Sequence, residues 1–458
     1  MVFSSAVFLW IFLPLVFAGN LLTGKRLSNL FLLLASLFFY AWGEPLLVVL
    51  MIFSVIWNYL AGLLIENCRH KKTVLFLGTA VDLLLLGYYK YAGFLLRSIN
   101  TVSGASFEVP DIVLPIGISF FTFQAISYIA DVYRGRVKAS KDPLPVAVYI
   151  SFFPQLIAGP IVQYADVEKQ LRERKMTAEG FALGFRRFIY GLGKKVLIAN
   201  VLAKCADAVF DHGAAGVGML PAWIGALAYT FQIYYDFSGY SDMALGLGQM
   251  FGFKFPENFN YPYLSKSITE FWRRWHMTLG AWFREYVYIP LGGNRKGKAR
   301  TYANLWIVFF LTGLWHGADL SFILWGLYHG ALSFIERLGF KKVLDKSKVL
   351  SRLLCFTAVC IGWVLFRAEN TAEGLAMIAA MFTPAEGMKL WELGDMKTAV
   401  IAGCAVIGSG VMQALVPAKL KARYRESVLE AFVCAAVLFF CLAALAGAGY
   451  NPFIYYQF

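Results

Sequence analysis

Residues 46–65 read LLVVLMIFSVIWNYLAGLLI and are followed at once by Glu66-Asn67-Cys68-Arg69-His70-Lys71-Lys72. A helix rises 1.5 Å per residue, so about 20 apolar residues cross the ~30 Å hydrocarbon core of a bilayer. A basic cluster straight after such a run marks a cytoplasmic end. The stretch therefore reads as one membrane span with a known exit side.

The same pattern extends outward in both directions. Residues 2–22 end at Lys25 and Arg26, residues 27–42 end at Gly43, Glu44 and Pro45, and residues 74–91 lead to a loop holding Arg97, Glu108 and Asp111. Residues 113–132 then return to Arg134, Arg136, Lys138 and Lys141. Basic ends alternate with poor ones, which puts the N-terminus outside. The apolar start has no basic region before it and is read as a retained first span, not a signal peptide.

Beyond this the pattern loosens. Residues 146–164 are apolar but interrupted by Pro154, Gly159 and Pro160, with basic flanks on both sides, which fits a re-entrant segment. Residues 181–203 and 220–251 supply further helices, the second long enough to be tilted or broken at 236–239. Between Lys254 and Arg300 an interfacial helix is expected, with Trp272, Trp275 and Trp282 at headgroup level. Residues 302–335 form the next long apolar stretch, and 353–365, 400–415 and 428–446 bring the total to about eleven membrane segments. No internal repeat is visible.

Composition agrees: 59% of the 458 residues are hydrophobic and 15% charged, too apolar for a soluble chain of this size. The net charge of +14 is scattered in short clusters between apolar runs and forms no single stripe, which excludes nucleic acid as a partner. The seven Cys show no CxxC or Cys/His grouping, so neither a metal site nor a disulfide framework is expected.

An ionisable residue inside lipid costs at least ~2.5 kcal/mol and needs a reason. Three concentrations stand out. The first, Asp236-Phe237-Ser238-Gly239-Tyr240-Ser241-Asp242, suggests either a broken helix lining a polar cavity or two carboxylates paired with Lys or Arg of neighbouring helices. The second, Glu270-Phe271-Trp272-Arg273-Arg274-Trp275-His276, puts Glu270 and Arg274 at pairing distance on a helix, with Arg273 and His276 sharing a face suited to a phosphorylated donor. The third, Thr312-Gly313-Leu314-Trp315-His316-Gly317-Ala318-Asp319, places His316 mid-run, with Thr312 and Asp319 one turn away on either side. A lone His on an apolar helix is more often a packed core residue than a catalyst. His329 is a weaker candidate, and His70 and His212 lie in loops.

Read together, DFSGYSDMALGLG from Asp236, FWRRWHMTLGAWFREYVYIPLGGNR from Phe271 and LTGLWHGADLSFILWGLYHG from Leu311 resemble the membrane-bound O-acyltransferase family. The opening MVFSSAVFLWIFLPL, LPIGISFFTFQAISYIADVYRG from Leu114, SFFPQLIAGPIVQY from Ser151 and the closing NPFIYYQF are similar too, so the resemblance covers essentially the full chain. The branch it resembles most is the alginate-acetylating one, on the strength of Pro290–Arg295 (PLGGNR); the teichoic acid D-alanyl transfer branch shares both His motifs.

The resemblance implies an all-α polytopic protein, one transmembrane domain over residues 1–458, with its membrane segments around a central chamber and a catalytic region at about 230–335. It implies His316 as catalytic residue and His276 lining the same chamber. Arg273, Arg274, Asp236, Ser238, Asp242, Trp315 and Asp319 are the further candidates for substrate or donor binding. Acyl transfer from a thioester to a hydroxyl needs a base and donors for the developing oxyanion. His316 is expected to serve as base or transient acyl carrier, oriented by Asp319 or a backbone carbonyl, since burial holds an imidazole in its neutral, proton-accepting form.

The expected donor is acetyl-CoA from the cytoplasm, with no tightly bound cofactor and no metal. The final acceptor is an extracytoplasmic polysaccharide, reached through an SGNH-type transferase or acyl acceptor protein outside a bacterial cytoplasmic membrane. The chain shows no GxSxG element of its own. The rival readings are D-alanyl transfer to teichoic acid and a transporter or flippase using the Asp236–Asp242 region.

Overall fold

A computed structural model of the chain describes residues 1–344, 346–417, 419–420, 424 and 427–447; the closing NPFIYYQF lies outside them. The described residues form helices and connecting turns, with no strand among them. Among the described residues four helices are long and apolar enough to cross a membrane: Val48–Asn67, Lys71–Ser103, Lys348–Arg367 and Val428–Gly447.

The side chains are sorted for lipid. On Val48–Asn67, Phe53, Ile56, Leu60 and Leu64 face outward while Ser54 and Asn58 are buried. On the last helix Phe432, Phe439 and Phe440 are exposed while Glu430 is buried. Apolar surface outside with polar groups inside reverses the order that water imposes. The protein is an all-α membrane protein, as its sequence implies.

By backbone contacts the chain divides into two compact units, 1–188 with 243–256, and 189–242 with 257–458. In the first, the Ile118–Tyr133 helix is almost wholly buried. Tyr128 presses on Gly62, where a β-carbon would meet the ring at 2.7 Å. Asn58 donates to Asp82 Oδ1 at 2.9 Å, joining two spans. The Lys71–Ser103 helix runs past the expected end at residue 91 until Gly104, whose φ of 71° stops it. Its 33 residues give about 50 Å, so it outreaches the hydrocarbon core. The proline-rich stretch is interrupted as its sequence implies: Pro143–Ser151, a kink at Phe152, then Phe153–Leu156.

Elsewhere the structure decides one open alternative and corrects two expectations. The Met219–Met250 helix is continuous through Asp236–Gly239. Gly239 is there for close approach, not for a break: a β-carbon on it would lie 2.7 Å from the Gly191 carbonyl oxygen. The carboxylates are neutralised in place, Asp236 by Lys195 at 2.5 Å and Asp242 by Lys194 at 2.6 Å.

Residues 302–335, in contrast, are not one run. Gly297–His316 ends at Gly317, which is extended at φ −165°, and Leu320–Ile335 begins behind Asp319, whose carboxylate accepts from Ser321 N at 2.8 Å. The two helices fold back on each other where Gly313 meets the Phe322 carbonyl and Gly326 meets the Phe309 carbonyl. Finally, Trp275 and Trp282 are 2% and 5% exposed; they are packed inside the protein and are not placed to anchor it in the headgroups.

Candidate active site

His316 is the last residue of its helix, because Gly317 leaves the helical region and the chain turns into the Asp319 cap. Gly317 is required by packing: any β-carbon there would strike the Phe322 ring. The imidazole is 4% exposed. It sits among Trp315 (4.9 Å between ring centroids), Trp325 (5.0 Å, interplanar 89°) and Phe366 (5.2 Å, 79°). Three edge-to-face contacts fix its plane. Asp319 Oδ1 accepts from Ser321 N at the start of the next helix.

His276 lies between two short helices, Ile268–Trp272 and Met277–Phe283, in the left-handed conformation at φ 45°, ψ 53°. A non-glycine residue there is uncommon and persists only where the surroundings hold it. They do: Asn260 N donates to Arg274 O and Met277 N to Asn258 O, each at 2.9 Å, clamping both sides of the residue. His276 Nδ1 lies 3.0 Å from Asn258 Oδ1, and that oxygen also accepts from Thr278 N (3.3 Å) and Thr278 Oγ1 (2.9 Å). Asn258 Nδ2 donates to Ser241 Oγ at 2.8 Å. Phe237 covers the imidazole at 4.7 Å, and Trp315 lies 6.2 Å away.

Trp315 thus touches both histidines. On the other side of His316, Trp325 lies 5.3 Å from His329, which is fully buried and also meets Trp272 at 5.0 Å. The RRWH segment, the end of the WHG helix and the helix after it meet in one aromatic cluster carrying three imidazoles.

The other sequence candidates are distributed around it. Trp315 is in the cluster. Ser238 is buried, and its Oγ has no hydrogen-bond partner among the described residues. Asp236 and Asp242 are in the ion pairs already given. Arg274 is half-buried and committed to Glu270 (2.8 Å) and the Asn260 carbonyl (3.2 Å), while Arg273 is exposed. The helix ends at Trp272, so Arg273 does not share a face with His276 as a helical register predicts. Among the described residues no group of three or more His, Cys, Asp or Glu stands where it could hold a metal ion.

Sequence reasoning missed Asn258 and Thr278 and set His329 aside. Asn258 lies 18 residues before His276 in a loop, and only the clamp brings them together. The signal present was weak: a small polar residue among aromatics in Glu257-Asn258-Phe259-Asn260.

The family described as MBOAT, membrane-bound O-acyltransferase family, matches residues 118–347. The chain is 45% identical over 415 residues to the probable alginate O-acetylase AlgI of Pseudomonas putida, covering 89% of this chain and 84% of that one. It is 38% identical over 421 residues to the peptidoglycan O-acetyltransferase of Helicobacter pylori, covering 83% and 80%. With the teichoic acid D-alanyltransferase of Bacillus subtilis it shares 29% over 276 residues, 56% of this chain and 69% of that one. The acetyl-transferring relatives are thus matched more fully than the D-alanyl-transferring one, and the chain belongs to the membrane-bound O-acyltransferase family as an O-acyltransferase.

Proposed function

We propose that the protein takes an acetyl group from a cytoplasmic thioester, acetyl-CoA, and passes it across the membrane for O-acetylation of an extracytoplasmic polysaccharide, with His316 as the residue on which transfer depends. The likeness to alginate and peptidoglycan O-acetyltransferases over more than four-fifths of the chain supports the acetyl group and the polymer. The observation that carries the site is the pairing of His276 and His316 on either side of Trp315.

In the reaction, the acceptor oxygen attacks the thioester carbonyl carbon, the C–S bond breaks, and the thiolate leaves with the electron pair. The hydroxyl proton moves to an imidazole and from there to the thiolate. His316 serves either as that base or as a transient acyl carrier, in which case its nitrogen first displaces the thiolate and the acceptor oxygen then displaces the imidazole from the acetyl carbonyl. A wall of Trp315, Trp325 and Phe366 around it keeps water from taking the acetyl group. The exposed Arg273, next to Arg274, is available to the phosphates of the donor. The N-terminus lies outside in this reading, with about eleven membrane segments.

Replacing His276 by Ala should lower acetyl transfer about a hundredfold without lowering the amount of protein in the membrane. Polymer acetyl content normalised to protein abundance checks this; a near-normal value would make His276 a structural residue. Donor identity is read by supplying radiolabelled acetyl-CoA or an aminoacyl carrier: label from the carrier alone would favour D-alanyl transfer.

The partner is an extracytoplasmic SGNH-type transferase or acyl acceptor protein that completes delivery to the polymer. The purified chain with acetyl-CoA and polymer should leave the polymer unacetylated until that partner is added. Full acetylation by the single chain would contradict the need for it.

A further inference from the structure

We infer that Asn258 is a positioning residue that fixes the tautomer of His276, so that Nε2 enters the site as a bare lone pair reserved for a hydrogen-bond donor of the substrate. The inference rests on the acyl-transfer reading above and goes beyond it by assigning which part of the reaction His276 serves.

The assignment follows from donor and acceptor counting. A backbone N–H can only donate, so the Asn258 side-chain atom facing Thr278 N is the carbonyl oxygen. The amide nitrogen then faces Ser241 Oγ, which completes its bond. A carbonyl oxygen can only accept, so His276 Nδ1, 3.0 Å from it, must carry the proton. A neutral imidazole has one N–H, and Nε2 is therefore unprotonated. That nitrogen is buried and has no hydrogen-bond partner among the described residues. A buried acceptor left unmet is unfavourable unless a ligand meets it.

The left-handed backbone at His276 is a second observation, that the residue is held in position by its surroundings. The Asn260–Arg274 and Asn258–Met277 backbone bonds hold a costly conformation whose effect is to direct one side chain. The Asn258 segment supplies both the backbone clamp and the tautomer lock.

A bare nitrogen repels anions, so Nε2 does not receive the phosphates or the thioester oxygen of the donor. It accepts from an O–H. The substrate group that fits is the hydroxyl to be acylated, which gives its proton to Nε2 while His316 serves as the acyl carrier, its oxygen lone pair aligned toward the acetyl carbonyl. His276 therefore belongs to the acceptor side of the reaction, not to the donor side.

The test uses the full chain labelled with 15N-histidine in bilayers. Solid-state NMR reads the protonation of each ring nitrogen, and the His276→Gln variant identifies its signals among the five histidines. Expected in the unaltered protein is a protonated Nδ1 and a bare Nε2. Asn258→Ala should shift the proton population toward Nε2 and lower polymer acetylation at least about tenfold, while acetyl-CoA binding to the purified chain changes less than about twofold. Asn258→Asp, which keeps an acceptor for Nδ1, should restore both the tautomer and most of the transfer.

A protonated Nε2 in the unaltered protein, an unchanged tautomer in Asn258→Ala, or a changed tautomer with normal transfer would each overturn the inference. So would a loss that appears as weakened acetyl-CoA binding. The tautomer measurement needs no turnover, so absence of acetyl transfer by the unaltered protein would count against the function and leave the tautomer result standing.

Discussion

Exchanging His316 for Ala is expected to abolish polymer acetylation, a fall of about 10³-fold or more, while the protein accumulates in the membrane as before. The separation of the two effects follows from where the imidazole sits. It is 4% exposed at the end of its helix, between Trp315, Trp325 and Phe366. Ala has good helix propensity and introduces no clash. The aromatic contacts among Trp325, Trp363 and Phe366 remain without the imidazole. The loss is therefore chemical. Acetyl ester per mass of polymer, set against protein abundance by immunoblot, measures it, and His316→Gln guards against a packing artefact by refilling part of the volume. Retained acetylation in both variants would remove His316 from the mechanism.

The opposite separation is expected at Asp236. Changing it to Ala takes the carboxylate away from the Lys195 ammonium, whose side chain is 4% exposed against 2% for Asp236 at an N–O distance of 2.5 Å. Removing one partner of a buried pair costs about 3–5 kcal/mol, a large part of a total stability of about 5–15 kcal/mol. The protein should be depleted from the membrane, and what remains should unfold at lower temperature in detergent. The double variant Asp236→Leu with Lys195→Met removes both charges and should recover much of the abundance. Asp242→Ala should cost less, because the Asp242 and Lys194 side chains are 21% and 30% exposed. Normal abundance of Asp236→Ala would show that the pair is not structural.

The sequence made the membrane class legible because hydrophobicity over 20 residues is a sum, insensitive to local detail. It made His316 and His276 legible through their flanking residues. It could not show where helices break. Gly239, inside a polar run, is helical because it packs on Gly191, whereas Gly317, in a run of similar character, ends its helix because Phe322 fills the space beside it. Both are contacts with residues on another helix, and periodicity carries no record of them.

The same holds for the site. A helical register put Arg273 beside His276, yet the helix stops at Trp272 and His276 turns left-handed under a clamp from Asn258 and Asn260. Trp275, which resembled an interface anchor, became core because it packs on Tyr263, Phe271 and Trp363. Asp236 and Asp242 were left open between pairing and a polar cavity, and the lysines at 194 and 195 decided for pairing.

The most direct test of the account is mass analysis of the cell-surface polysaccharide from cells with the protein, without it, and without it but supplied with His316→Ala. Expected are acetyl esters that disappear with the protein, return with the unaltered chain and stay absent with the variant. Acetyl content unchanged by loss of the protein would contradict the assignment as a polymer O-acetyltransferase.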